Sequence, residues 1–247
     1  MNAVLLIHGF PFDHSMWRHQ LAALSRWECM APDLRGFGAA EVPAAPDEYS
    51  MAAYAADLVR LLDERRVDSV VACGLSMGGY IVFELLRQVP KRLRGAILCN
   101  TKAPADTPEA RRGRDALAVK AGREGASGVG AELLPKLLAR VTRERRPDVV
   151  REVTAMIARQ PVPGIVGALR ALRDRPDSTE LLGRIDVPVL VVAGEDDQIT
   201  PAAEMQQMAS AIPGAEFVRI RDAGHLTPLE QPEACSSVIN NFIATTD

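Results

Sequence analysis

Aromatic residues are scarce in this sequence: tryptophan, tyrosine and phenylalanine together make up 4% of its 247 residues. Aliphatic side chains must therefore fill most of any core. No apolar run approaches the length of a membrane span, and the short run after Met1 is preceded by no basic stretch. Neither a membrane nor a secretory route is expected, which leaves the cytoplasm. Positive charge is not in excess either: the net charge is −3, which gives no basis for a nucleic-acid partner. The four cysteines, Cys29, Cys73, Cys99 and Cys235, form no C-x-x-C pair and read as reduced, mostly buried thiols. Cysteines and histidines alike lack metal-ligand spacing. No glycine-rich phosphate loop follows a strand pattern, so no nucleotide or other cofactor is expected. Gly/Ser linkers, charge blocks, low-complexity tracts and internal repeats are missing too. With 47% hydrophobic residues, the chain reads as a single domain with one substantial core.

What is present is a rhythm of short apolar runs and longer helical patterns, the signature of a doubly wound, mostly parallel α/β sheet. Strands are predicted at residues 3–7, 28–32, 67–74, 93–99, 187–193 and 216–220. Helices are predicted at 16–26, 51–65, 77–89, 201–212 and 229–244, with Ser50 placed to cap the second. Between the fourth and fifth strands, residues 103–182 show only helical pieces broken by Gly and Pro. This stretch carries 15 Lys and Arg against 11 Asp and Glu, in a chain that is acidic overall. It reads as a helical lid inserted into a core formed by 1–102 and 183–247.

The strongest chemical signal is Gly74-Leu75-Ser76-Met77-Gly78-Gly79, set between a predicted strand and a predicted helix. A strand-to-helix turn this tight strains the serine and admits almost no side chain beside it, which glycines at 74 and 78 satisfy. A serine at its free pKa needs a base. Of four histidines, His8 reads as shaping a turn, His14 as pinning a helix start and His19 as a helix-surface residue. His225, in Ala223-Gly224-His225 after the last strand, lies at the same sheet edge as Ser76, where parallel sheets place their sites. The imidazole in turn needs a carboxylate to fix its tautomer. The loop 194–201 offers Glu195, Asp196 and Asp197, in the chain order nucleophile, acid, base. The end of the fourth strand carries Asn100, which bears no charge. Backbone N–H groups of Met77 and Phe10 are the expected oxyanion donors.

With these residues the chain resembles the α/β-hydrolase superfamily over essentially its full length. The segments 9–17, 31–38 and 74–79, with the lid tail Arg175-Pro176-Asp177-Ser178-Thr179, resemble the group of 3-oxoadipate enol-lactonases and small carboxylesterases. The resemblance implies a serine hydrolase acting on small esters or lactones, and its register puts the acid at Asp197 rather than Asp196. Two departures stand out. Ala39-Ala40 replaces a segment where relatives often carry serine, and the N-terminal β-hairpin is expected to be absent or reduced, leaving an exposed sheet edge.

Serine at position 76 argues against the dehalogenase and epoxide-hydrolase branches, which place aspartate there. Cofactor-free haloperoxidases, acting as perhydrolases, and carbon–carbon bond hydrolases share the same set of three residues. A ligand receptor that retains the set is the non-enzyme alternative. The expected partner is a small-molecule ester or lactone, with the protein a monomer or small homo-oligomer.

Overall fold

The computed structural model describes residues 3–246. Strands β1 (Ala3–Ile7), β2 (Glu28–Met30), β3 (Val70–Leu75), β4 (Leu93–Cys99), β5 (Val189–Gly194) and β6 (Glu216–Ile220) pair in the order β2-β1-β3-β4-β5-β6. Every pairing is parallel. β1, β3 and β5 are buried along their whole length, whereas β2 and β6 at the edges are largely open. A sheet covered on both faces needs such near-continuous apolar runs at its centre.

The connections place helices on both faces. They begin with α1 (Arg18–Ala23), α2 (Met51–Glu64) and α3 (Met77–Gln88). Between β4 and β5 come α4 (Pro108–Leu137), α5 (Arg140–Arg145), α6 (Pro147–Ala158), α7 (Val162–Arg173) and α8 (Thr179–Leu182). The chain closes with α9 (Ala202–Ser210), α10 (Thr227–Glu230) and α11 (Pro232–Thr245). Alternate strand residues feed two cores, as the period of two demands. Leu5, Ile7 and Ala72 join Tyr54, Leu58, Phe83 and Met205 on one face. Val4, Leu6 and Cys73 join Ile239, Phe242 and Ile243 on the other. Few as they are, the aromatics go inside: Trp17, Tyr54, Phe12, Phe37 and Phe83 head the fully buried side chains by volume.

Where element ends differ from the sequence reading, local chemistry explains it. The third strand starts at Val70 rather than 67, because the Val67 N–H closes α2 on the Leu62 carbonyl at 2.9 Å, with Arg66 at φ +56°. The second strand stops at Met30, short of Pro32, which has no N–H to donate. The first helix is preceded by a 3₁₀ turn, His14–Trp17, whose N-cap is Asp13 rather than His14. The last helical pattern is two helices, separated at Gln231 and restarted by Pro232 at its first position. Ser50 does cap α2, accepting the Ala53 N–H at 3.0 Å. Among the described residues no strand precedes β1, and three-residue β2 forms one sheet edge. The cysteines are free; Cys73, Cys99 and Cys235 are buried, Cys29 half-buried.

Within the 103–182 insertion the regular elements are all helices, the first starting at Pro108, and Gly125 at φ +69° breaks α4 into two pieces. It docks on loops at the carboxyl edge of the sheet. Gly164, in α7, meets Gly36 so closely that a Cβ there would lie 1.8 Å from the Gly36 oxygen. Arg159 holds Asp13 through two bonds, Nε to Oδ2 at 2.7 Å and Nη2 to Oδ1 at 2.8 Å. The Gln160 amide donates to the same carboxylate at 2.7 Å and accepts the Gly38 N–H at 3.0 Å. No helix among the described residues is long and apolar enough to cross a membrane.

Candidate active site

The register decides which residues meet. Ile7 pairs with Gly74, Leu75 with Cys99, Cys99 with Val192 and Gly194 with Ile220. The residues that follow these strands therefore share one edge: His8-Gly9-Phe10, Ser76, Asn100, the loop 195–201 and the loop 221–226.

Ser76 sits between β3 and α3 at φ +53°, ψ −110°, a conformation that costs a non-glycine residue about 1–3 kcal/mol. Its main chain is pinned from both sides. The Ser76 N–H donates to the Cys99 carbonyl at 2.9 Å, while its own carbonyl accepts from Gly79 N–H and Thr101 Oγ1, both at 2.9 Å. The flanking glycines are steric requirements. A Cβ at Gly74 would lie 2.3 Å from the Gly78 carbonyl, and one at Gly78 would lie 2.2 Å from the Ile7 oxygen. Met77 is the first residue of α3, so its N–H has no carbonyl within its own helix to bond. Gly9 brings the next loop up to the serine: a Cβ there would lie 3.5 Å from the Ser76 Cβ and 2.8 Å from Leu75.

The Gly9–Phe10 peptide is held by its carbonyl, which lies 3.0 Å from His8 Nδ1 and accepts the Phe12 N–H at 3.0 Å. A trans peptide points its N–H away from its carbonyl, so these contacts also fix the Phe10 donor. His8 Nε2 accepts the Leu34 N–H at 3.0 Å, which assigns the Nδ1–H tautomer. Burial is the main force on His8 and lowers its pKa, favouring the neutral ring. This residue shapes a turn, as its position in the sequence suggests.

His225 Nδ1 lies 2.8 Å from Asp197 Oδ2, and both side chains are buried. Asp197 is held as firmly as the histidine. Its Oδ1 accepts the N–H groups of Ile199 (2.8 Å) and Thr200 (3.0 Å). Its Oδ2 also accepts Thr200 Oγ1 (2.6 Å) and Asn100 Nδ2 (2.8 Å). Burial alone pushes this carboxyl up; the charge of His225 and the bonds from His225, Thr200 and Asn100 outweigh it and hold the group well below the usual carboxylate range. Asp196 is exposed, with its N–H on the Ala223 carbonyl, and Glu195 faces Arg219 at 3.6 Å. The loop thus turns one of its acids inward. Gly194 permits this, since a Cβ there would sit 1.9 Å from the Gly224 oxygen of the His225 loop.

Sequence reasoning missed the residues around the pair. Asn100, at φ +46°, donates to Asp197 and to the Gly224 carbonyl (3.2 Å), and accepts Thr227 Oγ1 at 2.8 Å. Its position at the end of the fourth strand is a usable signal, because a neutral donor there can serve a carboxylate arriving from the next strand. Thr200 and Thr227 carry no signal of their own.

Two histidines stand apart from this pair. His14 lies on Asp33, 2.7 Å from Nδ1 to Oδ1, and His19 is in α1. Asp13, His14 and Asp33 bring ligand-type atoms within 4.8 Å of one another, a cluster no spacing rule suggests. Its carboxylates are already engaged, Asp13 by Ser15, Arg159 and Gln160 and Asp33 by His14 and Ala39.

Known proteins resemble this chain in sequence and fold. The sequence profile of the alpha/beta hydrolase fold matches residues 2–232. An esterase from Thermogutta terrifontis, solved with malate bound, superposes with a TM-score of 0.96 at 40% identity, over 100% of this chain and 90% of that one. 3-Oxoadipate enol-lactonase 2 of Acinetobacter baylyi is 27% identical over 238 residues, 96% of this chain and 86% of its own. A Mycobacterium tuberculosis protein provisionally named a non-heme bromoperoxidase is 30% identical over 257 residues, 99% and 94% of the two chains. The chain belongs to the α/β-hydrolase fold family and is a hydrolase.

Proposed function

We propose that the chain is a serine hydrolase that cleaves small carboxylic esters or lactones through an acyl-enzyme on Ser76. The observation that carries this reading is the buried Asp197–His225 pair, 2.8 Å apart, at the same sheet edge as a serine held at φ +53°. Ser76 Oγ attacks the carbonyl carbon as His225 Nε2 takes its proton. Asp197 keeps the Nδ1–H tautomer and stabilises the imidazolium. The N–H groups of Met77 and Phe10 bond the developing oxyanion, each worth about 10²–10³ in rate. His225 returns its proton to the leaving alkoxide, which for a lactone stays attached to the acyl chain. Water, deprotonated by the same histidine, then releases the acid.

The substrate is small and polar or carboxylate-bearing. Three observations support this. The insertion presents Arg or Lys every few positions rather than a continuous apolar wall for a long acyl chain. The few aromatics mostly lie inside the core. The Thermogutta terrifontis neighbour, 40% identical, binds malate, a small dicarboxylate. Across 4-nitrophenyl esters from acetate to palmitate, kcat/KM is expected to peak at or below about six carbons, since each methylene left unburied forfeits about 0.8 kcal/mol. A steady rise out to palmitate contradicts the small-substrate reading. 3-Oxoadipate enol-lactone belongs in the same panel. So does a peroxide arm, because the similarity to the protein named a bromoperoxidase favours peracid release when hydrogen peroxide replaces water at the acyl-enzyme.

A further inference from the structure

Glu230, the last residue of α10, is a carboxylate that the mechanism above does not use, yet it is only 1% exposed. Both of its oxygens are fully engaged. Oε1 accepts the N–H groups of Gly224 (2.9 Å) and Leu226 (3.1 Å), the residues on either side of His225. Oε2 accepts the Ala139 N–H (2.8 Å) and Thr142 Oγ1 (2.7 Å), at the joint between α4 and α5 in the insertion. The His225 N–H itself donates to the Leu137 carbonyl at 2.9 Å, at the same joint. Three consecutive main-chain donors of the base-bearing loop are thus fixed, two by one side chain and one by the insertion.

Within this loop Asp222 stands at φ +53°. Gly224 also packs directly on the insertion, since a Cβ there would lie 2.5 Å from the Ala139 nitrogen. Burial raises the Glu230 carboxyl, and its donors lower it only in part. A buried carboxylate is costly to keep unless it serves several donors at once, and here its donors belong to the two pieces of chain that must stay in register above Ser76.

We propose that Glu230 is a positioning residue for the base: it holds the His225 loop at a fixed height over Ser76 and locks that loop to the helical insertion. The inference rests on the reading of Ser76 and His225 as nucleophile and base. Glutamine in its place keeps the shape but has a single acceptor oxygen and turns its amide donor toward one of the two donor pairs. The imidazole then moves relative to Asp197 and Ser76, and a displacement of about 1 Å costs on the order of 10²-fold in rate.

The test is steady-state kinetics with 4-nitrophenyl butyrate on wild type, Glu230→Gln and Thr142→Val, at a temperature where melting shows each folded. Glu230→Gln is expected to lower kcat about 10- to 100-fold with KM within about twofold. The rate of serine labelling by a fluorophosphonate falls in parallel. Thr142→Val, which removes one donor and leaves the carboxylate, is expected to lower kcat about threefold. A Glu230→Gln enzyme with kcat within twofold of wild type overturns the proposal, as does a rise in KM alone. Should that variant not fold, an unchanged kcat in Thr142→Val overturns it equally. Failure of the hydrolase reading shows separately, as a wild type that neither takes up fluorophosphonate nor turns over any ester, and it removes the positioning role as well.

Discussion

Ser76→Ala is expected to lower turnover of 4-nitrophenyl butyrate by at least about 10⁴-fold, the loss typical when one member of such a set is removed. The hydroxyl is the only atom lost, and the elbow does not depend on it. The strained backbone is held by the Ser76 N–H to Cys99, by Gly79 and Thr101 on its carbonyl, and by the clearance at Gly74 and Gly78. Alanine carries the same conformational cost at φ +53°, so the melting temperature should stay within about 2 °C, a change of no more than about 1 kcal/mol for a chain of this size. Residual catalysis is expected from the N–H donors of Met77 and Phe10, the proposed oxyanion hole. A folded Ser76→Ala protein that keeps more than a tenth of wild-type kcat shows that the nucleophile is elsewhere.

Asp197→Asn is expected to lower kcat about 10³- to 10⁴-fold, and Asp196→Asn to change it less than about threefold. The difference follows from the donors. Five converge on the two oxygens of Asp197, from His225, Asn100, Thr200 (N–H and Oγ1) and Ile199. An asparagine offers one oxygen, so its amide N–H groups must face either His225, favouring the wrong tautomer, or the Ile199 and Thr200 amides. Stability moves too. Asp197 titrates well below the ordinary carboxylate range in the folded protein. Its contribution is therefore fully present above the unfolded value and lost only as pH falls through the folded one. At neutral pH the Asp197→Asn variant should therefore melt lower than wild type. A crippling change at 196 with a mild one at 197 places the acid one residue earlier.

The central strands are legible in the sequence because burial on both faces forces continuous apolar runs, as in β1 and β5, and the helical character of the insertion because that rhythm is replaced by helical pieces from 103 to 182. Ser76 is legible because the elbow's steric demands are written as glycines. The limits are set by bonds between distant residues. Nothing near Val67 announces that its N–H belongs to Leu62, and nothing near Asn100 that its amide serves a carboxylate from the next strand. The loop 194–201 displays three acids in a row; which one turns inward depends on Gly194 pressing against Gly224. Glu230 reads as an ordinary polar residue at the start of the predicted 229–244 helix until the fold brings Ala139 and Thr142 against it.

Ser76 as the nucleophile is open to direct test by mass spectrometry of the wild-type protein after brief exposure to a fluorophosphonate. A single covalent adduct is expected, located by fragmentation on Ser76, formed in step with the loss of esterase activity and absent from Asp197→Asn over the same interval. Full esterase activity in a protein that carries no adduct, or inactivation by an adduct on any other residue, contradicts the assignment.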